Sequence, residues 1–267
     1  MLKQRIITAV VLAAVALWAI FDWTDGWYAT FLLVAAAACG WEWAALGNLH
    51  TPLKKGLFAA AVTAVTALLM LFDNGAILRV LVLLSVLCWL AIALDLYVRP
   101  VIEKTPGVRF SLLVLATLLL ITAVLALYRL RGQLSPAVIV YVVALVAAAD
   151  IGAYFCGKRF GRRKLAVQIS AGKTIEGAIG GLLLAAVVAL VAVVLLDFSS
   201  VGVIAVFFFS LVAAVFSVAG DLFISRAKRT HGVKDSGSML PGHGGVLDRF
   251  DGLLAAVPWL TFAVLWA

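Results

Sequence analysis

The stretch 225–251, SRAKRTHGVKDSGSMLPGHGGVLDRFD, sets five basic residues and three carboxylates between two strongly apolar segments. Lys228, Arg229, Lys234 and Arg249 offer groups for phosphate, since arginine grips phosphate bidentately and lysine acts as a mobile point charge. Asp248 and Asp251 stand three apart, so on a helix beginning there both carboxylates fall on one face of its first turn. Carboxylates so close repel one another unless a cation or basic side chains sit among them. Oxygen-only ligation suits Mg²⁺, which takes one or two carboxylates and completes its shell with water and substrate phosphates. The plainer alternative is that both aspartates only cap a helix and complement its dipole. Gly242-His243-Gly244-Gly245 is a flexible turn with one imidazole, whose glycines let backbone N–H groups approach an anion. No HExxH or Cys/His cluster accompanies His243, which argues against zinc.

A second polar stretch, 157–177, reads GKRFGRRKLAVQISAGKTIEG. Gly172-Lys173-Thr174 imitates the end of a phosphate loop, but Val167 stands where that loop needs glycine, so the motif is not a Walker A. It can still present N–H groups and an ammonium at a helix start. Arg162, Arg163 and Lys164 serve the same anion or only orient the chain. Asp150 and Asp221 close apolar runs at the same face. Together these groups imply metal-assisted phosphoryl or nucleotidyl transfer at a membrane surface. A polyphosphate–Mg²⁺ donor docks on the polar loops, a lipid acceptor enters sideways, and basic groups stabilise charge on the transferring phosphorus.

The elements that must position these groups are set by composition. The chain has 267 residues, 65% hydrophobic and 13% charged, whereas soluble domains are about half apolar. Only helices and closed barrels satisfy their backbone in lipid, and continuous rather than alternating apolar runs exclude a barrel. The expected fold is all-α, a polytopic transmembrane bundle of about nine spans near 6–21, 28–47, 56–72, 76–98, 108–128, 136–156, 177–196, 201–223 and 252–267. Asp22-Trp23-Thr24-Asp25 offers no small-residue cleavage site, so the first span is read as a retained anchor. With a cytoplasmic N-terminus, 18 of the 21 basic residues fall inside, among them Lys3, Arg5, Lys54, Lys55, Arg99, Lys104 and Arg109; Arg79, Arg129 and Arg131 fall outside. Both large polar loops then lie on the cytoplasmic side. Residues 1–130 form an N-terminal set of helices, and 131–267 a C-terminal set carrying the loops 157–176 and 224–251. Glu42 and Asp95 are acids within spans and therefore functional candidates by default, yet both stand where they can reach the interface. Cys39, Cys88 and Cys156 read as buried small apolar residues.

Ser225, Lys228-Arg229, Lys234-Asp235-Ser236-Gly237, Pro241-Gly242-His243-Gly244-Gly245 and Asp248-Arg249-Phe250-Asp251 closely resemble the signature of phosphatidate cytidylyltransferases (CDP-diacylglycerol synthases). Gly220-Asp221-Leu222, Asp150, Gly152-Ala153-Tyr154, Phe160-Gly161, Lys164-Leu165 and 170–177 also resemble that family. Ile151 departs where a small hydroxyl residue is expected, Ala171 replaces a proline, and Ile224 stands where the family often has glutamate. The resemblance implies transfer of CMP from CTP to phosphatidic acid, giving CDP-diacylglycerol and pyrophosphate in phospholipid biosynthesis. It implies Mg²⁺, alone or with a second cation, held by Asp221, Asp248 and Asp251. Lys228, Arg229, Lys234, His243 and Arg249 would serve the phosphates, and Asp150, Lys164, Lys173, Glu176, Ser225, Gly244 and Gly245 would bind substrate. The implied partners are CTP, phosphatidic acid and the bilayer, with no nucleic acid and with a homodimer; the implied setting is the bacterial inner membrane, with the site at its cytoplasmic face. The alternatives are a related membrane lipid kinase of polyprenol or phytol type, and an anion transporter, against which the missing internal repeat counts.

Overall fold

The computed structural model describes residues 2–72, 75–99, 107–198 and 201–266, with side chains from residue 7 onward. Lys104 and the side chains of Lys3 and Arg5, expected on the inner face, lie outside what is described.

Long apolar runs form nine helices among the described residues: α1 (Leu2–Phe21), α2 (Asp25–Leu46), α3 (Pro52–Phe72), α4 (Ala76–Val98), α5 (Phe110–Gln133), α6 (Pro136–Phe160), α7 (Ile175–Leu195), α8 (Val203–Thr230) and α9 (Leu247–Trp266). Eight of them, α2 to α9, are long and apolar enough to cross a membrane, and the chain is an integral membrane protein. Local chemistry marks the boundaries. Pro136 opens α6, where its missing N–H is harmless, and the Thr174 hydroxyl caps α7 by accepting from Gly177 N–H.

Two features differ from the sequence-based expectation. First, α8 continues to Thr230, two turns past 223, and α9 begins at Leu247 rather than near 252. The polar connection is therefore only 231–246, and six of the eight charged residues of 225–251 are helical. Lys228 and Arg229 fall in the last turn of α8, where cations favour the helix dipole. Second, the all-α bundle carries one small antiparallel hairpin, β1 (Lys164–Ala166) with β2 (Ser170–Thr174). Lys173 thus stands on a strand leading into α7.

The helices alternate in direction. The ends of α2, α4, α6 and α8 and the starts of α3, α5, α7 and α9 gather at one end of the bundle. Cross-links record this: Arg226 of α8 pairs with Asp95 of α4, Arg109 before α5 donates to Thr230, and His231 bonds Asn48 after α2. Two apolar cores are stacked along the bundle. One includes Tyr28, Leu145, Ala185 and Trp259; the other, nearer the polar end, includes Trp43, Trp89, Phe223 and Leu247. Residues before and after 130 contribute to both, so the two sets of helices differ in chemistry but share their packing. Helix α7 lies so close to α6 that a Cβ on Gly181 would overlap the Ala149 carbonyl, the small-residue approach that lets helices pack in lipid.

Candidate active site

Helix α8 places Asp221, Ser225 and Lys228 at i, i+4 and i+7, along one face. The Ser225 hydroxyl donates to Asp221 Oδ1 at 3.0 Å. Lys173 reaches in from β2 and sets its Nζ 2.6 Å from Asp221 Oδ2. Further along α8, Lys228 Nζ lies 2.6 Å from Asp248 Oδ1 of α9. That second pair is nearly sealed, its side chains 10% and 6% exposed. Asp248 Oδ2 also accepts the N–H groups of Ser236 (2.9 Å) and Gly245 (3.0 Å). Asp248 therefore organises its loop as well as facing a lysine.

Asp251 lies one turn on. Its Oδ1 accepts its neighbour Gly252 N–H, and it stands within electrostatic range of both Asp221 and Asp150. Asp150, in the second half of α6, is within electrostatic range of Asp221, Lys173 and Arg249. The bundle thus gathers three mutually repelling carboxylates on three helices.

One polar cavity opens on this cluster, an apolar cavity continues from it into the bundle, and a further polar cavity lies at the loop before α9. A polar cavity of about 500 Å³ is lined by Asp150, Tyr154, Lys158, Lys173 and Asp221. It shares Leu165, Ala178 and Val218 with an apolar cavity of about 560 Å³ that runs between α4, α7 and α8. On the other side, Lys234, Asp235, Gly242, His243, Gly244 and Arg249 line a second polar cavity of about 560 Å³. Arg249 Nη2 donates to the His243 carbonyl. Gly244 adopts φ +81, a backbone that glycine tolerates best. His243 Nδ1 is buried with no hydrogen-bond partner among the described residues.

Other expected site residues are placed differently. Glu176 accepts the N–H groups of Arg162 (3.0 Å) and Arg163 (3.1 Å) and pairs with Arg163 Nε (3.0 Å). Lys164 Nζ reaches the Ala171 carbonyl across the hairpin at 2.8 Å. Both side chains hold the hairpin that presents Lys173 and do not line the cavities. Arg229 turns back to the Val233 carbonyl. Ile224 is fully buried in the core with Trp43, Trp89 and Phe223, so that departure faces apolar packing rather than the carboxylates.

The residue that sequence reasoning undervalued is Glu42. It is 2% exposed and accepts from Ser236 Oγ, Val246 N–H and Leu247 N–H at 2.7, 3.0 and 2.9 Å. An acid inside a span was the available signal. Its flanking tryptophans at a helix end argued for the interface instead. Asp95, by contrast, pairs with Arg226 and Arg99 as an interfacial acid would.

The whole-chain comparison decides the family. The model of the cytidylyltransferase family matches residues 3–266. The chain belongs to this family. It is 37% identical over 284 residues to the phosphatidate cytidylyltransferase of Haemophilus influenzae, covering 98% of each protein. It is 39% identical over 268 residues to that of Pseudomonas aeruginosa, covering all of this chain and 98% of the relative. Identity to the Brucella suis phosphatidate cytidylyltransferase is 36% over 262 residues, with 97% and 92% covered.

For a cytidylyltransferase, two lysine–aspartate pairs beside a carboxylate cluster have a direct chemical meaning. Each ammonium sits 2.6 Å from a carboxylate oxygen, holding positive charge where a cation would otherwise be drawn. The donors are all oxygens, as a hard divalent ion requires. Among the described residues no three His, Cys, Asp or Glu side chains converge closely enough to hold a metal by themselves. An ion held here would therefore need ligands beyond these side chains, of the kind substrate phosphate supplies.

Proposed function

We propose that this protein is a phosphatidate cytidylyltransferase: it transfers CMP from CTP to phosphatidic acid, releasing pyrophosphate and leaving CDP-diacylglycerol in the membrane. The observation that carries the reading is the continuity of an apolar cavity with a cavity lined by Asp150, Lys173 and Asp221. A phosphorylated lipid fits that shape, with acyl chains below and its phosphate beside Lys173.

The nucleotide phosphates take the neighbouring cavity, where Lys234, Arg249 and the unpartnered His243 Nδ1 supply donors. A phosphate-monoester oxygen of phosphatidic acid is largely ionised at neutral pH, so it attacks the α-phosphorus of CTP without a strong general base. The new P–O bond forms as the bond to the β-phosphate oxygen breaks, and the electron pair leaves on pyrophosphate. The protein's share is positioning and charge neutralisation. Lys173 and Lys228 hold the acids in place and then turn toward the phosphates, while Arg249 steadies the departing pyrophosphate. Asp221 and Asp251 would hold Mg²⁺ together with substrate phosphate, and the ion would supply charge neutralisation at the transferring phosphoryl group. Asp248, expected from the sequence as a third ligand, has both oxygens taken by Lys228, Ser236 and Gly245 and orders the loop instead.

Among the described residues the basic side chains gather at the cavity end, with only Arg79, Arg129 and Arg131 at the other, which supports a cytoplasmic site. Together with the bacterial relatives, they support an inner membrane setting. The test is acceptor choice. Purified protein with Mg²⁺ and CTP should label phosphatidic acid with CMP and leave diacylglycerol and polyprenol unlabelled. Release of CDP together with a phosphorylated alcohol would replace this reading with a lipid kinase.

A further inference from the structure

The polar loop 231–246 is held by two carboxylates from different helices. Asp248 takes the N–H groups of Ser236 and Gly245 from within the signature stretch itself. Glu42 comes from α2, about 200 residues earlier in the chain, and is just as fully engaged. Its Oε1 accepts Val246 N–H, and its Oε2 accepts Leu247 N–H and the Ser236 hydroxyl.

Val246 and Leu247 stand at the start of α9, where amides lack intrahelical acceptors and the dipole is positive. Glu42 therefore caps α9 from another helix. The fit is close on both sides: a Cβ on Gly237 or Gly245 would overlap the Glu42 carboxylate. Between the two anchored points, Ser236 and Gly245, hangs the turn whose Gly242, His243 and Gly244 line the second polar cavity with Lys234, Asp235 and Arg249.

We infer that Glu42 is a positioning residue for the nucleotide pocket, setting the affinity for CTP by keeping this loop in its binding shape before the nucleotide arrives. Glu42 touches no cavity-lining charge directly and acts only through Ser236, Val246 and Leu247. A loop that occupies its binding shape for a fraction of the time weakens ligand affinity by that fraction, and saturating ligand restores it. Releasing the anchor should therefore raise KM for CTP and largely spare kcat. A general loss of folded protein does the reverse, lowering apparent kcat at unchanged KM. The kinetic part rests on the cytidylyltransferase reading above; the anchoring part does not.

The test uses the full chain in detergent. Glu42→Gln places an amide NH₂ against N–H donors and removes the charge that caps α9. It should raise KM for CTP about tenfold with kcat within about threefold, and speed tryptic cleavage after the exposed Lys234 about tenfold. The protein should stay folded at the assay temperature, with its melting midpoint lowered as the cap on α9 weakens. Ser236→Ala should shift both readouts in the same direction by less. The double variant should match Glu42→Gln alone, because the two groups share one contact. Unchanged KM and cleavage rate in folded Glu42→Gln overturn the inference, as does a fall in kcat at constant KM. If Glu42→Gln does not fold, Ser236→Ala supplies the same two readouts, and wild-type values there overturn it. If the wild type turns over no CTP, the functional reading falls while the Lys234 cleavage rate still decides whether Glu42 anchors the loop.

Discussion

The two ends of the bundle use charge in opposite ways. At the end away from the cavities, Arg131 of α5 donates to the carbonyls of Ile20 and Trp23, pairs with Asp25 at 2.6 Å and lies over the Tyr28 ring. Its guanidinium is consumed by neighbours that tie α1, α2 and α5 together. At the cavity end, Lys173–Asp221 is part-exposed and lines a cavity, Asp150 and Asp251 add like charge, and His243 Nδ1 is left unmatched. The first arrangement holds the fold; the second keeps charge available for a ligand. A count of charged residues would not separate the two, whereas their partners do.

Substitutions can break or sharpen this contrast. The largest effect is expected at Asp221. Asp221→Asn should lower CMP transfer on the order of 10³-fold, the scale of losing charge stabilisation at a transferring phosphoryl group, with little change in melting. An Asp221→Asn variant of near-normal turnover would remove this residue from the chemistry. Asp248→Ala should cost both activity and stability. It strands Lys228 in a nearly sealed site, and breaking such a pair costs about 3–5 kcal/mol, visible in a thermal or denaturant melt. Gly245→Ala should fall between the two classes. The added methyl meets Glu42 and Ser236, so about 1–3 kcal/mol is lost by overpacking and KM for CTP rises.

At the far end the signature reverses. Arg131→Met should lower the melting temperature, with a loss of about 1–3 kcal/mol from buried carbonyls left unmatched, while KM values stay at wild type. Smallest of all, Arg163→Ala trims an exposed pair on the hairpin and should alter neither melting nor turnover detectably.

Particular residues also show what the sequence could convey. The helices were readable because runs of apolar residues of spanning length have few other stable forms in lipid. The ends of α8 and α9 were misplaced because 224–230 and 247–251 are polar yet helical. Arg226 and Lys228 are paired with Asp95 and Asp248, and Arg229 and Arg249 with loop carbonyls, which hydropathy does not register. The hairpin escaped because a three-residue and a five-residue strand carry no periodicity. In the site, Asp221, Lys228 and Asp248 could be grouped because local spacing set them near one loop. Lys173 could be suspected of serving an anion, but its pairing with Asp221 is a tertiary fact. Glu42 is the clearest case: its spacing says only that an acid lies within a span. Its role comes from α9 ending its approach against α2, which no local pattern records.

The most direct measurement follows the two ends of CTP at once. With phosphatidic acid, Mg²⁺ and CTP labelled separately at the α- and γ-phosphates, the account predicts that the α-label enters the lipid and the γ-label appears in pyrophosphate in equal amounts. Arg131→Met should preserve that split, and Asp221→Asn should abolish it. A γ-label in the lipid, or undiminished transfer by Asp221→Asn, would contradict it.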